Sequence, residues 1–170
     1  MRPEISTYPP YFNTYIKLIE GDDIKKIIPE LSASQLQFFE SISEVQSVYK
    51  YADEKWTVKE VLQHVIDAER IFCYRTLALA RGEKNILPGF DENDYARNSH
   101  ANDRNWSDLI EEFKAVRNAT GHFIKSLNDS DLKKSGSVLD YRISVHALLY
   151  VIAGHSQHHI NIIRQRYLDL

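Results

Sequence analysis

The sequence predicts an all-α protein that folds as a four-helix bundle. Four segments of about 20 residues each repeat their apolar residues at the three- and four-residue spacing of an amphipathic helix. No alternating pattern longer than a few residues indicates a β-strand, and no internal repeat is found. Packing four such helices together is the simplest way to bury their apolar faces. We expect one domain, residues 1–170, with the proline-rich residues 1–10 as an extended lead-in.

Composition and charge argue against several classes of protein. Apolar residues make up 43% of the chain and charged residues 26%, as in an ordinary globular domain. The net charge is −3, so no basic surface for nucleic acid is expected. The single cysteine, Cys73, fits a reducing compartment. Neither a signal peptide nor a membrane-spanning run is recognised, so we expect a cytoplasmic protein with no nucleic-acid or membrane partner.

The first predicted helices lie before residue 44. A short helix is expected from Tyr11 to Ile19, ended by Gly21. The first long helix follows at about residues 22–43, and Pro29 predicts a kink or a break within it.

The other three long helices have clearer boundaries. The second begins after Thr57, which with Glu60 three residues later forms a capping box, and it ends at Arg81-Gly82. The connection over 83–104 is long enough to predict a functional loop or a short helix. The third helix is expected at about 105–128 and the fourth at about 144–167, with a shorter connection between them around residues 135–137.

Three of the seven histidines fall within five positions of the fourth helix. His155 and His159 are four residues apart and therefore about 40° apart around the helix, inside its apolar stripe. His158 falls about 60° to the other side, at the edge of the stripe. Two neutral imidazoles so placed can share one metal ion, whereas hydrogen-bonded core histidines are the alternative interpretation.

A metal needs at least one more ligand from the protein, and His64 in the second helix is the best candidate. It lies on the flank of that helix's apolar stripe, so a partly exposed surface histidine is the alternative. The remaining histidines are weaker candidates because none has an adjacent partner; they are His100, His122 and His146. No histidine has glutamate three residues before it, so a dinuclear carboxylate site is not predicted.

Three histidine ligands leave a coordination position open, which is typical of catalytic metals. Four acidic residues are candidates to orient the imidazoles: Asp67, Glu69, Asp91 and Asp94. Polar residues of the long connection are candidates to line the mouth and bind an anionic substrate: Asp91, Asp94, Tyr95, Arg97 and Arg104. Cys73 points away from His64 on the helical wheel, so we interpret it as a packing residue.

Two motifs make the chain resemble the DinB-like superfamily of metal-binding four-helix bundles. They are Trp56-Thr57-Val58-Lys59-Glu60-Val61-Leu62-Gln63-His64 and Gly154-His155-Ser156-Gln157-His158-His159-Ile160. Shorter matches are Glu69-Arg70-Ile71-Phe72, Tyr74-Arg75, Pro88-Gly89-Phe90-Asp91, Asp94-Tyr95 and Ala101-Asn102-Asp103-Arg104. The resemblance covers about residues 11–168.

The resemblance implies a bundle in which long crossover connections replace some hairpins. It also implies a divalent metal, which is nickel, zinc or iron in relatives, held by one histidine of helix two and two of helix four. Transferred by position, these ligands are His64, His155 and His159. Some relatives act on a low-molecular-weight thiol such as bacillithiol, mycothiol or glutathione, and many are homodimers.

Three functions follow from these observations. The first is a metal-dependent enzyme acting on a small-molecule substrate, either a thiol transferase or a hydrolase. The second is a bundle that binds a metal or ligand without turnover, for instance in a stress response. The third is a purely structural interaction module, which would leave the three histidines unexplained.

Overall fold

The computed structural model describes residues 2–168 and confirms the helical class. Four long helices form the bundle: α2 (Ile24–Glu40), α4 (Val58–Ala80), α6 (Trp106–Ser126) and α8 (Val145–Arg166). The short helices are α1 (Asn13–Ile16), α3 (Glu44–Ser47), α5 (Glu92–Asn98) and α7 (Asp129–Leu132), and 3-10 turns cover Ile5–Thr7, Pro10–Phe12 and Ala101–Asp103. One antiparallel hairpin is formed by β1 (Ser135–Val138) and β2 (Tyr141–Ser144).

The order of the helices around the bundle differs from their order along the chain. Helix α2 packs against α6 and α8, and α4 packs against the same two helices. Therefore α2 lies diagonally opposite α4, and α6 lies diagonally opposite α8. The chain crosses the bundle end twice, between α2 and α4 and again between α6 and α8. These are the crossover connections that the resemblance implied.

The two helices that carry the histidines begin where the sequence predicted, and the predicted Thr57–Glu60 capping box is present. The Thr57 hydroxyl accepts a hydrogen bond from the Glu60 N–H at 3.2 Å, and the Glu60 carboxylate accepts one from the Thr57 N–H at 2.7 Å. Helix α4 ends at Ala80, and Gly82, two residues later, has a φ of 86°. The Ser144 hydroxyl accepts a hydrogen bond from the Ala147 N–H at 3.0 Å and starts α8. Local sequence thus fixes where the histidines stand along the bundle.

Helix α2 is continuous through Pro29, so the predicted break there is wrong. Proline in the second turn of a helix removes one backbone hydrogen bond. The burial of Ile24 and Ile28, which both precede Pro29 in the helix, compensates for that loss.

The predicted helix from Tyr11 to Ile19 is shorter in the structure, where a 3-10 turn leads into the four residues of α1. The lead-in is not fully extended either, because Ile5–Thr7 form a 3-10 turn. The long connection over 83–104 carries a short helix, α5, as expected.

The β-hairpin was not predicted from the sequence. Its strands have four residues each, and Leu139 occupies the turn with a φ of 50°, where glycine or asparagine is the usual signal. Leu87 pairs with Val138 and adds a third segment at its edge. The burial of Val138 and Ile143 in the core, and not turn chemistry, stabilises this hairpin.

The core has two apolar clusters separated by a polar layer. One cluster contains the first half of α8 and the second half of α4, with Phe12 and Ile16. The other contains the second half of α8 and the first half of α4, with Phe39 and Phe113. The layer between them is built from buried polar side chains of all four long helices: Gln35, His64, Glu69, Arg117, Thr120, His155 and Ser156.

None of the helices formed by residues 2–168 combines the length and the apolarity that crossing a membrane requires.

Candidate metal centre

His64, His155 and His159 converge in the polar layer. The Nε2 atom of His155 lies 3.2 Å from the Nε2 of His64 and 3.2 Å from the Nε2 of His159. All three ligand nitrogens lie within 4.8 Å of one another. The alternative of a surface histidine at position 64 is wrong, since His64 is buried.

Aromatic rings surround the imidazoles and make their environment apolar. The Trp56 ring lies 4.9 Å from that of His64, and the rings of Tyr15 and Phe72 lie 5.2 and 5.4 Å from that of His155. Burial lowers the pKa of His64 to about 4. Burial, followed by the neighbouring histidines, lowers the pKa of both His155 and His159 well below the usual range. All three rings are therefore neutral at pH 7, the form that binds metals.

Hydrogen bonding among the three rings does not account for their arrangement. A neutral Nε2 either donates one proton or offers one lone pair, so the Nε2 of His155 cannot bond well to both partners. A metal ion instead accepts one lone pair from each ring. Two nitrogens on one tetrahedral zinc, each at about 2.0–2.1 Å, lie roughly 3.3 Å apart. The two contacts of 3.2 Å match this spacing, and the nitrogens of the third pair, His64 and His159, lie within 4.8 Å of each other. Three neutral imidazoles gathered in this way are a donor set whose chemistry fits a divalent metal.

The other histidines lie outside this cluster. His158 is half-buried beside it, with its ring 5.3 Å from that of Tyr15. His100 is exposed near Asp103, and His122 lies in a groove between α2 and α6. His146 packs against the ring of Tyr150. The helical wheel thus separated His158 from His155 and His159 correctly.

A cavity of about 380 Å³ opens onto the three histidines. The segment before α5 and the hairpin form the wall opposite them, with Gly89 and Phe90 from the former and Leu139 and Tyr141 from the latter. Most of the other lining residues are aromatic: Tyr11, Phe12, Tyr15, Trp56 and Phe72. Such a mixture of apolar walls and a few polar groups is typical of sites for small molecules.

Arg75 and Glu92 are the charged residues other than histidine that line this cavity in the described part of the chain. Arg75 is buried in its wall, whereas Glu92 is exposed. In the sequence, Arg75 was singled out only as part of the Tyr74-Arg75 match to the DinB-like superfamily. The spacing between His64 and Arg75 could have indicated that Arg75 lies at the site. The two residues are 11 positions apart, close to three helical turns, so both side chains lie on one face of α4.

The acidic residues expected to orient the imidazoles have other partners. Asp67 accepts a hydrogen bond from Gln63 at 3.0 Å, and Glu69 accepts one from Thr120 at 2.7 Å. Asp91 caps α5, and Asp94 pairs with Arg97. Each carboxylate is bonded within its own helix or within the polar layer. The expectation that these acidic residues orient the imidazoles is therefore wrong.

The residues expected at the mouth of the site are also elsewhere. None of the five is among the described residues that line the cavity. The Tyr95 ring lies tilted against that of Phe90, with ring centroids 5.2 Å apart. Arg104 pairs with Glu112 and donates to Gln63 at 2.7 Å. The register of the connection places Gly89, Phe90 and Glu92 at the cavity instead.

The polar layer also contains a buried polar network, separate from the three histidines, in which Glu69 pairs with Arg117. Arg117 Nε lies 2.8 Å from Glu69 Oε2, close enough for an ion pair although the alignment does not make a hydrogen bond. Arg117 also donates to the Ser156 hydroxyl, which donates to Gln35 at 2.9 Å. This network links four helices next to His155 without contacting the cavity. We interpret it as structural.

Cys73 packs between α4 and α6, as predicted. Its Sγ lies 3.3 Å from the Thr120 hydroxyl, and burial raises the pKa of the thiol to about 11. A thiol with this pKa is a poor nucleophile at neutral pH.

Several solved structures are similar to this chain in fold, three of them as follows. One is YfiT from Bacillus subtilis, which is described as a probable metal-dependent hydrolase with an unusual four-helix bundle topology. YfiT is 19% identical to this chain, with a TM-score of 0.73. The match covers 91% of this chain and 97% of YfiT. A DinB-like protein from B. subtilis, YjoA, is 16% identical with a TM-score of 0.62, covering 87% of this chain and 91% of its own. The mycothiol-dependent maleylpyruvate isomerase is 8% identical with a TM-score of 0.68, covering 89% of this chain.

The present chain spans only 62% of the isomerase's length. No protein of curated function matches the sequence. The model of the DinB superfamily matches residues 31–163, which include all four long helices in whole or in part and all three converging histidines. The chain belongs to the DinB superfamily.

Proposed function

We propose that this protein is a divalent-metal-dependent enzyme whose metal is held by His64, His155 and His159. The observation that carries the proposal is the convergence of three neutral imidazole nitrogens, two of the contacts being 3.2 Å, at the floor of a cavity. A purely structural module has no need of such a cluster. The fold likeness to a probable metal-dependent hydrolase supports the same conclusion.

The chemistry would be nucleophilic attack on a small-molecule substrate. A bound divalent metal lowers the pKa of a coordinated water or thiol, so that a nucleophile exists near neutral pH. The histidines would leave at least one coordination position facing the cavity. The aromatic walls make the surroundings of the imidazoles apolar, which strengthens electrostatic interactions in the site.

The chain's own residues hold this site in place. Tyr15 and Phe72 pack against the His155 ring from two elements, α1 and α4, and Trp56 fixes the His64 ring. His64 and His155 come from the neighbouring helices α4 and α8, which pack along their length. A site built on packed helices keeps its ligands in one arrangement.

Hydrolysis, with water as the nucleophile, is the function we favour. The cavity of about 380 Å³ has room for one small substrate. Thiol transfer is the second candidate, supported by the fold likeness to an isomerase that depends on mycothiol. Nickel, zinc and iron are the candidate metals, and their histidine preferences overlap.

Elemental analysis of protein purified without a metal-affinity tag tests the metal. We expect about one divalent ion per chain in the wild type and almost none in His155→Ala. Metal that is absent from the wild type, or unchanged by the substitution, would disprove the site.

Activity assays on the metal-loaded protein then separate the reactions. Hydrolysis predicts turnover of ester or amide substrates without a thiol, lost on chelation. Thiol transfer predicts turnover of electrophiles only when bacillithiol, mycothiol or glutathione is added. Metal binding with turnover in neither assay would favour a bundle that binds metal or ligand without catalysis.

A further inference from the structure

Arg75 is a buried cation without an anionic partner in residues 2–168. Its side chain is 4% exposed, and its Nη2 donates to the Pro88 carbonyl at 2.8 Å. Its Nε is buried and has no hydrogen-bond partner. No carboxylate in the described chain lies within salt-bridge distance of it, whereas the equally buried Arg117 has Glu69 at 2.8 Å.

Leaving a guanidinium in this state is costly. Arginine stays protonated in proteins, and a buried charge normally requires both a counter-ion and satisfied donors. The rings of Phe72 and Phe90, each 5.9 Å from the guanidinium carbon, provide only partial compensation. A residue that weakens the fold in this way, in the wall of a cavity, is a candidate for ligand binding.

Arg75 and the histidines line the same cavity. By the helical rise, residues 64 and 75 of α4 are roughly 16 Å apart along the axis and about 20° apart around it. Phe72 lies against both, with its ring 5.4 Å from that of His155 and 5.9 Å from the Arg75 guanidinium. A ligand that reaches from the histidines to Arg75 must therefore pass one aromatic ring.

We propose that the cavity binds a small organic carboxylate whose carboxylate group pairs with Arg75. The apolar body of the ligand would lie against Phe72, Phe90 and Tyr141, with its other end toward the histidines. A single buried guanidinium matches one negative charge, and the exposed Glu92 at the same cavity disfavours a dianion such as a phosphate monoester. The idea that the other end of the ligand reacts at the histidines rests on the proposed function. The proposal that Arg75 binds a carboxylate does not depend on it.

Paired ligands test the carboxylate site directly. The probes are benzoate, phenylacetate and 3-phenylpropanoate, each compared with its neutral amide, and phenyl phosphate as the dianion. Titration followed by NMR should show at least one carboxylate binding about tenfold or more tightly than its amide, and more tightly than phenyl phosphate. Equal binding of every acid and its amide, tighter binding of the phosphate, or no binding of any carboxylate would overturn the proposal.

Substitution then assigns the preference to Arg75. Arg75→Gln should abolish the discrimination between acid and amide, and Arg75→Lys should retain part of it. Arg142→Gln is the matched control, since it removes one positive charge from the exposed side of the hairpin and should change nothing. A discrimination that survives in Arg75→Gln would overturn the assignment. Thermal melting of each variant, expected to be no lower than that of the wild type, verifies that the fold is intact.

The same titration in the presence of a chelator keeps this proposal distinct from the metal site. A bound metal also attracts carboxylates, so a preference that disappears on chelation would belong to the metal and would overturn the role of Arg75. A preference that persists in chelated protein, and in a preparation that binds no metal at all, would support the carboxylate site even if the proposed function failed.

Discussion

The Nε2 atoms of His64 and His155 lie 3.2 Å apart, although 91 positions separate the two residues in the sequence. One stands on α4 and the other on α8, helices that are neighbours in the bundle. A metal at this point would therefore connect two helices that are far apart in the chain. Its effects on composition and stability can be measured independently of any substrate.

Substitutions in the histidine run should affect metal content unequally. His155→Ala removes the nitrogen that lies 3.2 Å from both other ligands, so we expect near-complete loss of metal. His158→Ala is the matched control, three residues further along the same helix. The His158 ring packs against Tyr15 and lies outside the cluster, so the metal content of this variant should stay nearly unchanged. Elemental analysis after gel filtration measures both. Equal losses would contradict the assignment of ligands.

Removing the metal should lower thermal stability, because a ligand that binds only the folded state stabilises it. At a free metal concentration about 100 times its Kd, the stabilisation is about 2.7 kcal/mol. Differential scanning calorimetry with and without a chelator measures the shift in Tm. His64→Ala should melt at the same temperature under both conditions, and a chelator effect that persists in this variant would place the metal elsewhere.

Gly154→Ala should destabilise the packing of α1 on α8. A Cβ at Gly154 would lie 2.2 Å from the Tyr15 carbonyl oxygen, a backbone atom that cannot move alone. Overpacking of this kind costs about 1–3 kcal/mol, and it would displace the Tyr15 ring from His155. Chemical denaturation gives the change in the free energy of unfolding.

Gly121→Ala on α6 is the control for the glycine substitution, since no atom beyond its chain neighbours and its own helix backbone lies within 4 Å of the new Cβ. Alanine in an open helical position gains about 0.5–1 kcal/mol over glycine. The two substitutions should therefore change stability in opposite directions. A destabilised Gly121→Ala would show that helix propensity does not govern that site.

The Glu69–Arg117 pair should be essential for stability. Glu69→Gln keeps the size of the side chain but leaves the buried Arg117 without its anion, which we expect to cost about 3–5 kcal/mol. Asp94→Asn breaks the exposed pair with Arg97 and should cost at most about 1 kcal/mol. Urea denaturation of both variants provides the comparison, and similar losses would contradict a special role for the buried pair.

Cys73 should react slowly with alkylating agents. Burial raises the pKa of its thiol to about 11, so the thiolate fraction at pH 8 is on the order of a hundredfold lower than at the ordinary value of 9.0. The rate of reaction with iodoacetamide, followed by mass spectrometry, should rise with pH and should increase strongly on denaturation. Rapid labelling of the native protein at pH 8 would contradict this pKa. Cys73→Ser should retain its metal content.

The sequence by itself determined where the long helices lie and how two of the three histidines, His155 and His159, are placed relative to each other. The Thr57–Glu60 capping box and Ser144 act within a few residues, so local chemistry was enough to locate the starts of α4 and α8. His155 and His159 share one helical turn, so their relation follows from the period of the helix. His64 was selected by the need for a third ligand and by resemblance.

Tertiary structure alone decided what surrounds those residues. The turn at Leu139 lacks a recognisable signal, and Phe90, Tyr141 and Tyr15 reach the cavity from segments that are distant in the sequence. The carboxylates expected near the histidines have local or cross-helix partners that spacing could not reveal. Arg75 lies on the same face of α4 as His64, yet the absence of a counter-ion in the described chain depends on every segment packed around it. Periodicity is a property of one helix, whereas burial and charge compensation are properties of several segments packed together.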